Sequence, residues 1–190
     1  MPSKFRLQFW IVALIIFSIA IVRVIPHFPN YSPLGAICLF GAAHFSQKKY
    51  AYLIPILAVW LSDLILNNWV YSAYYPSFTL LYSGFYWQYG SYLLTVVLGQ
   101  FLFKKVNLMR VLGGALGASI LFFLISNFGV WASGSMYPKT ATGLIACYTA
   151  GLPFLKGTLV GNLVFSSALF GGYRLLQQRF KILTSVSNIN

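Results

Sequence analysis

Asp63 is the only acidic side chain in a chain of 190 residues that carries 13 lysines and arginines. It lies inside the apolar run AYLIPILAVWLSDLIL, where a lone carboxylate is costly and needs a partner or a task. Arg23 closes the first apolar run and is expected at a similar depth, so the two groups can form an ion pair. This pair either clamps two helices, or Arg23 binds an anionic ligand group that Asp63 orients. A proton relay through Asp63 is a third reading, but the opposite half of the chain lacks the further ionisable groups that it needs.

The segment RVIPHFPNYSPLG carries three prolines within eight residues. Each proline fixes its own φ and biases the residue before it toward extended backbone, so we expect a stiff loop that presents His27 and Asn30. A stiff loop lowers the ordering cost of binding, although a plain rigid turn explains the pattern equally well. The other histidine, His44, is expected at the opposite face, so we predict neither a metal site nor a cofactor.

Further polar side chains interrupt the last two apolar runs. Asn127 and Trp131 are four residues apart and share one face of a helix, and Tyr137 and Lys139 follow in the next loop. A carboxamide in lipid must be hydrogen-bonded, either to a neighbouring helix or to a ligand. Asn162, within the last helix, poses the same alternative.

Several function classes are disfavoured by what the sequence lacks. It contains no P-loop, HExxH or GxSxG motif and no pair of carboxylates, so we expect neither ATP hydrolysis by the chain itself nor enzymatic activity. The net charge of +12 is spread over short clusters between apolar runs, which argues against nucleic-acid binding. Cys38 and Cys147 have no metal-site spacing and are expected to be buried hydrophobes, with a disulfide between them left open.

The elements that must position these residues are membrane helices. Hydrophobic residues make up 59% of the chain and charged residues 7%, too few charges for a water-exposed surface. We therefore predict an all-α fold, a single membrane domain over residues 1–190, with a retained first helix rather than a cleaved signal peptide. The six predicted helices cover residues 7–25, 33–45, 50–66, 79–103, 108–131 and 153–176. The segment between the last two is apolar enough in its latter part to dip back into the membrane, and Gly113 and Gly117 form a GxxxG pattern that permits close helix approach.

The basic residues predict the topology. With six helices and a cytoplasmic N-terminus, 10 basic residues fall on the inner side and 3 on the outer side, as the positive-inside rule requires. The inner ten are Lys4, Arg6, Lys48, Lys49, Lys104, Lys105, Arg110, Arg174, Arg179 and Lys181, and the outer three are Arg23, Lys139 and Lys156. Both termini are then cytoplasmic, and the residues able to do chemistry gather at the outer side.

Three separated stretches resemble a family of small, uncharacterised bacterial inner-membrane proteins. They are RVIPHFPNYSPLGAICLFGAAHF, PILAVWLSDLIL and FFLISNFGVWASGSMYPKTATGLIACYTAGLPFLKGTLVGN. Members of that family often have Gly-Asp where this chain has Gly161-Asn162, so a charged role at that position is not expected here. The resemblance implies a multi-pass protein of the bacterial inner, or cytoplasmic, membrane.

The six-helix layout is also remotely similar to the substrate-binding S components of energy-coupling factor (ECF) vitamin transporters. That resemblance implies a substrate site at the outer helix ends, and a membrane coupling subunit with cytoplasmic ATPases as partners. In that group small residues on helix one often contact the coupling subunit, and here Ala13, Ser18 and Ala20 are the candidates. The residues that could line the substrate site are Arg23, His27, Asn30, Asp63, Asn127, Trp131, Tyr137 and Lys139.

We therefore expect the protein to capture a small vitamin or cofactor-type molecule from the outer side for uptake. Arg23 and Lys139 favour a substrate with a carboxylate or phosphate, and a corrinoid is also compatible. A non-transporting scaffold or cell-envelope assembly subunit is the alternative, in which the polar residues only join helices. A membrane-embedded enzyme would require a reactive Cys147 or His27.

Overall fold

A computed structural model describes residues 3–25, 28–75 and 77–180 of the chain. These residues form six α-helices and no β-strand. The helices are α1 (Ser3–Ile21), α2 (Leu34–His44), α3 (Lys48–Ile65), α4 (Phe85–Leu102), α5 (Leu108–Ser133) and α6 (Ala141–Arg179). The predicted all-α class is therefore confirmed for the described part of the chain.

Within the described ranges, four stretches are long and apolar enough, by length and composition, to cross a membrane. They are Arg6–Val24, Lys48–Val70, Leu108–Ser133 and Ala141–Arg179. Helix α2 is apolar but has only 11 residues, and α4 carries glutamines and tyrosines that lower its hydropathy. Several long apolar helices of this kind indicate a membrane-embedded protein.

Helix α2 is the centre of the bundle. Its residues from Ala36 to Phe40 are completely buried, and it packs against all five other helices. At one end, Phe40 and His44 pack on Phe170 and Tyr173 of α6. The short helix thus fills one half of the bundle, and a cluster of packed rings lies at its C-terminal end.

The other half of the bundle is occupied by the segment that precedes α2. The amide of Tyr31 donates to the Phe28 carbonyl at 3.0 Å, and Asn30 has φ +58°, which an asparagine tolerates better than most residues. The segment lies directly on α6, because a Cβ at Gly157 would overlap Pro29 and a Cβ at Gly161 would meet Ser32. Gly157 and Gly161 thus form a second GxxxG pattern, in addition to that of Gly113 and Gly117.

Helix α6 differs most from its prediction. It begins at Ala141, where the Thr140 hydroxyl caps it by accepting from the Gly143 amide at 3.1 Å, and it continues through Pro153. Residues 134–140 are a loop, as expected, but the later part of the expected loop, which was apolar enough to dip into the membrane, forms three turns of helix. Contacts with α5 offset the cost of an internal proline, about 3 kcal/mol: the Tyr148 hydroxyl, for example, donates to the Leu124 carbonyl at 2.6 Å.

Helix α4 also begins later than predicted, at Phe85 rather than at residue 79. Gly84 precedes it with φ +77°, a left-handed conformation that suits glycine and ends the preceding loop. The loop itself is fastened to the end of α3. The Asn68 carboxamide donates to the Thr79 carbonyl at 2.9 Å and accepts from the Thr79 amide at 2.7 Å.

Candidate functional site

Arg23 and Asp63 form the predicted ion pair, with 2.7 Å between Nη1 of the arginine and Oδ1 of the aspartate. Arg23 lies in a 3-10 turn (Val22–Val24) at the end of α1, and Asp63 lies in the last turn of α3. The two side chains are only 15% and 8% exposed, respectively. The same Nη1 also donates to the Ser62 hydroxyl at 2.6 Å, which in turn donates to the Val59 carbonyl. Two helix ends are therefore joined by charged and neutral hydrogen bonds together.

The remaining oxygen of Asp63 is also used. Tyr89 of α4 donates its hydroxyl to Oδ2 at 2.8 Å. Asp63 therefore accepts from Arg23 on one side and from Tyr89 on the other. The only carboxylate side chain of the protein is a junction between α1, α3 and α4.

Beside this junction lies a cavity of about 530 Å³, which we call the central cavity. It is at the end of the bundle where α1 and α3 end, and its lining includes Leu34 and Gly35 of the first turn of α2. Ligand pockets for drug-sized molecules have volumes of about 300–1,000 Å³, so the size is that of a binding site. Its lining is Arg23, Val24, Ile25, Pro29, Asn30, Ser32, Leu34, Gly35, Leu66, Val70, Tyr71, Gln88, Tyr92, Thr95, Phe122, Thr158 and Asn162.

One wall of the central cavity is aromatic. The rings of Tyr92 and Phe122 are nearly parallel, with 5.8 Å between their centroids and 11° between their planes. The lining also includes Leu66 and Val70, which bound a π-helical turn (Leu66–Val70). Such turns widen a helix locally and are frequent at functional sites.

Asn162 supplies a fixed polar group to the cavity. It is 3% exposed, and its Nδ2 donates to the Ser119 hydroxyl of α5 at 2.9 Å. Its carboxamide lies so close to Gly35 that a Cβ there would overlap it. The sequence left open whether the Asn162 carboxamide bonds to a neighbouring helix or to a ligand. In the structure it joins α5 to α6 and also lines the cavity.

Gln88 and Tyr82 connect the cavity to the loop before α4. Gln88 lines the cavity, and its Oε1 accepts from the Tyr82 hydroxyl at 2.9 Å. Burial raises the pKa of Tyr82, and the nearby Asp63 carboxylate adds to this effect. Tyr82 is therefore a neutral hydroxyl donor at neutral pH.

The predicted site residues separate into two groups. Arg23 and Asn30 line the central cavity, and Asp63 lies behind Arg23. His27 lies outside the described residues. The other four, Asn127, Trp131, Tyr137 and Lys139, lie around the turn between α5 and α6 and do not line the cavity.

This second group closes the α5–α6 turn. The Trp131 indole donates to the Pro138 carbonyl at 2.9 Å, and the Lys139 ammonium donates to the carbonyls of Trp131 and Gly134. A cation at this position satisfies the last carbonyls of α5 and suits the negative end of its dipole. Tyr137 is half-buried in the same turn.

Asn127 joins α5 to α6. Its Nδ2 donates to the Phe123 carbonyl at 2.8 Å, and its side chain packs so closely on Gly151 that a Cβ there would overlap it. The Asn127 carbonyl also accepts from the Cys147 thiol at 3.4 Å. Cys38 and Cys147 are both free and buried, so the open disulfide alternative does not occur.

The chain belongs to DUF6580, a family of unknown function whose model matches residues 3–183. The uncharacterised family expected from the sequence motifs agrees with this finding. No curated protein and no solved structure is significantly similar to the chain.

Proposed function

We propose that the protein is a six-span inner-membrane protein that captures a small vitamin or cofactor-type molecule from the outer side for uptake. Both termini would be cytoplasmic, which places the central cavity at the outer face. The observation that carries this proposal is the cavity itself, with Arg23 and Asn162 in its lining, inside a bundle with several long apolar helices. Polar groups in such a position are costly unless they serve a ligand or each other.

The topology draws its support from the charge asymmetry, with 10 basic residues on one side and 3 on the other. In this arrangement α2 and the segment before it count together as one span. Single-cysteine labelling at Ser46 and Ser135 with a membrane-impermeant maleimide, in a variant with Cys38 and Cys147 replaced by serine, tests it. Only Ser135→Cys should react from outside the cell.

The capture function can be tested by native mass spectrometry of the detergent-purified protein from its own host. Val70 lines the cavity and is 47% exposed, so Val70→Trp should fill the cavity without disturbing the core. Val160 is 43% exposed and does not line the cavity, so Val160→Trp is the matched control. We expect a small molecule to accompany the wild type and V160W but not V70W. A protein free of small molecules in all three forms would contradict capture.

The S-component-like role further proposes a membrane coupling subunit with cytoplasmic ATPases as partners. Ala13 and Ala20 of α1 are buried within the protein, so of the expected small residues only Ser18 remains exposed. Better candidates for close contact are Gly171 and Gly172 of α6, where an added Cβ would enter open space. Purification from native membranes in nanodiscs should recover these partners from the wild type and lose them in Gly172→Leu.

The same glycines favour the second candidate, a non-transporting scaffold or cell-envelope assembly subunit. Gly113 of α5 also faces open space, whereas Gly117 packs on Leu98 of α4, so the predicted GxxxG pattern is used within the protein on one side only. A scaffold would bind a protein partner through such exposed glycines and would carry no small molecule. The mass-spectrometric test therefore separates the two functions.

A further inference from the structure

Resting on the proposed capture function, we propose that the ligand of the central cavity is a compact monocarboxylate whose carboxylate lies between Arg23 and the first turn of α2. Arg23, Ser32, Leu34 and Gly35 all line the cavity. The Arg23 cation and the N-terminus of α2 therefore both border the cavity. A ligand anion at that point would be held by side chain and backbone together.

Among the described residues, the hydrogen-bond partners of Arg23 leave some of its donors unused. A guanidinium carries five N–H donors, and the bonds to Ser62 and Asp63 both leave from Nη1. The donors on Nε and Nη2 belong to the part of the group that can meet a carboxylate. Asp63 and Ser62 position that fork, so little side-chain entropy is lost when a ligand binds.

The first turn of α2 is the second part of the proposed carboxylate site. Pro33 occupies the N-cap position and has no side-chain acceptor, so it cannot satisfy the amides of the first turn. Gly35 has no Cβ, and the Asn162 carboxamide fills the space that a Cβ would take, which brings a second polar group beside this turn. The positive end of the α2 dipole adds to the attraction for an anion.

The charge balance favours a single negative charge over two. Among the described residues that line the cavity, Arg23 is the one charged side chain, and Asp63 already neutralises part of its charge. Lys139, which the sequence suggested as a second cation, caps α5 instead. A phosphomonoester carries about 1.5 to 2 negative charges at neutral pH and would lack a second cation.

The dimensions favour a compact molecule with a flat part. A volume of about 530 Å³ suits a drug-sized ligand, and a corrinoid is far larger. The parallel rings of Tyr92 and Phe122 offer a surface for an unsaturated or ring-shaped portion. Thr95 and Thr158 also line the cavity, and because their hydroxyls donate to backbone carbonyls, only their oxygens can serve a ligand, as acceptors.

Thermal-shift binding on the detergent-purified full chain tests this assignment with matched probes. The pairs are nicotinate with nicotinamide, biotin with its primary amide, benzoate with benzamide, and pyridoxine with pyridoxine 5′-phosphate. We expect a carboxylate to bind about tenfold or more tightly than its amide, because a hydrogen bond to a charged group is lost. An R23Q/D63N double variant, which removes both charges of the pair, should lose this preference, and Lys156→Gln, which removes a cation outside the cavity lining, should keep it.

The outcomes separate the two proposals. If an amide or the phosphate ester binds as well as any carboxylate, the ligand class is wrong while capture stands. If no probe binds and native mass spectrometry finds no small molecule, capture and ligand class fall together. If mass spectrometry identifies a molecule outside the panel, a single carboxylate in it supports the inference and its absence overturns it.

The single variant Asp63→Asn tests whether Asp63 sets the charge preference of the cavity. The relative affinities of the probes would not change if Asp63 had only a structural role. Asp63→Asn leaves the full charge of Arg23 facing the cavity. Because charge balance sets selectivity, we expect this variant to bind the phosphate ester more tightly relative to the carboxylates than the wild type does. An unchanged ranking of the probes would contradict the role of Asp63 in ligand charge.

Discussion

Asn68 and Thr79 exchange two hydrogen bonds across eleven positions of sequence, with the asparagine carboxamide pairing with both backbone groups of the threonine. The carboxamide thus acts as a short piece of β-ladder between the end of α3 and the loop before α4. Tyr71, at the start of that loop, lines the central cavity. The pair therefore fixes a loop that borders the cavity.

Asn68→Ala should release this loop. The variant loses both bonds to Thr79 and a third to the Leu64 carbonyl, which should lower the free energy of unfolding by about 1–3 kcal/mol and speed hydrogen exchange in residues 71–75 and 77–84. Thr79→Val is the matched control, because it keeps both backbone bonds to Asn68 and loses only the hydroxyl bond to the Ser77 carbonyl. Equal exchange in N68A and the wild type would contradict the fastening role.

The Arg23–Asp63 pair should behave as a coupled unit. Arg23→Gln or Asp63→Asn alone leaves a buried charge without its partner and should cost about 3–5 kcal/mol of stability. The double variant removes both charges, so we expect it to recover more than half of that loss. A double-mutant cycle of unfolding in mixed micelles measures the coupling, and simple additivity of the two losses would argue against it.

Gly35 should be sensitive to a single methyl group. Gly35→Ala forces the Asn162 carboxamide away from its bond to Ser119, and overpacking of this kind costs about 1–3 kcal/mol. Asn162→Ala in the same chain should restore part of the stability by making room. Gly171→Ala, where the methyl enters open space, should be neutral or slightly stabilising in the same thermal-unfolding assay.

Lys139 separates a structural role from a ligand-binding role. Lys139→Met removes the cation that caps α5, and we expect the melting temperature to fall by roughly 2–4 °C. Ligand affinity in the thermal-shift panel should stay unchanged, because Lys139 does not line the central cavity. A loss of affinity for carboxylate probes in K139M would instead indicate that Lys139 takes part in ligand binding.

Composition and charge clusters were sufficient to predict the helical class, the approximate extent of α2, α3 and α5, and the pairing of Arg23 with Asp63. Each of these depends on local sequence or on the need of a single carboxylate for a partner in lipid. The length of α6 was not predictable in the same way. Pro153 is a typical first residue of a helix, and only the packing of α6 on α5 makes it an internal one.

The central cavity depends on how the helices pack, which periodicity does not reveal. Asn127 and Asn162 look alike in the sequence, as single carboxamides in apolar runs. Asn127 packs between α5 and α6. Asn162 lines the cavity instead, because Gly35 of α2 leaves space for its carboxamide. The nearest sequence signal was the GxxxG pattern of Gly157 and Gly161, which marks where a loop can touch α6.

The shortness of α2 has a consequence for the proposed uptake. With 11 residues it is roughly 16 Å long, about half of a hydrocarbon layer of ~30 Å. A molecule resting on its first turn from the outer side would already be near the middle of the membrane. Binding alone would then move the molecule across about half of the membrane. The remaining conformational change would have to displace one cluster of four packed rings: Phe40, His44, Phe170 and Tyr173.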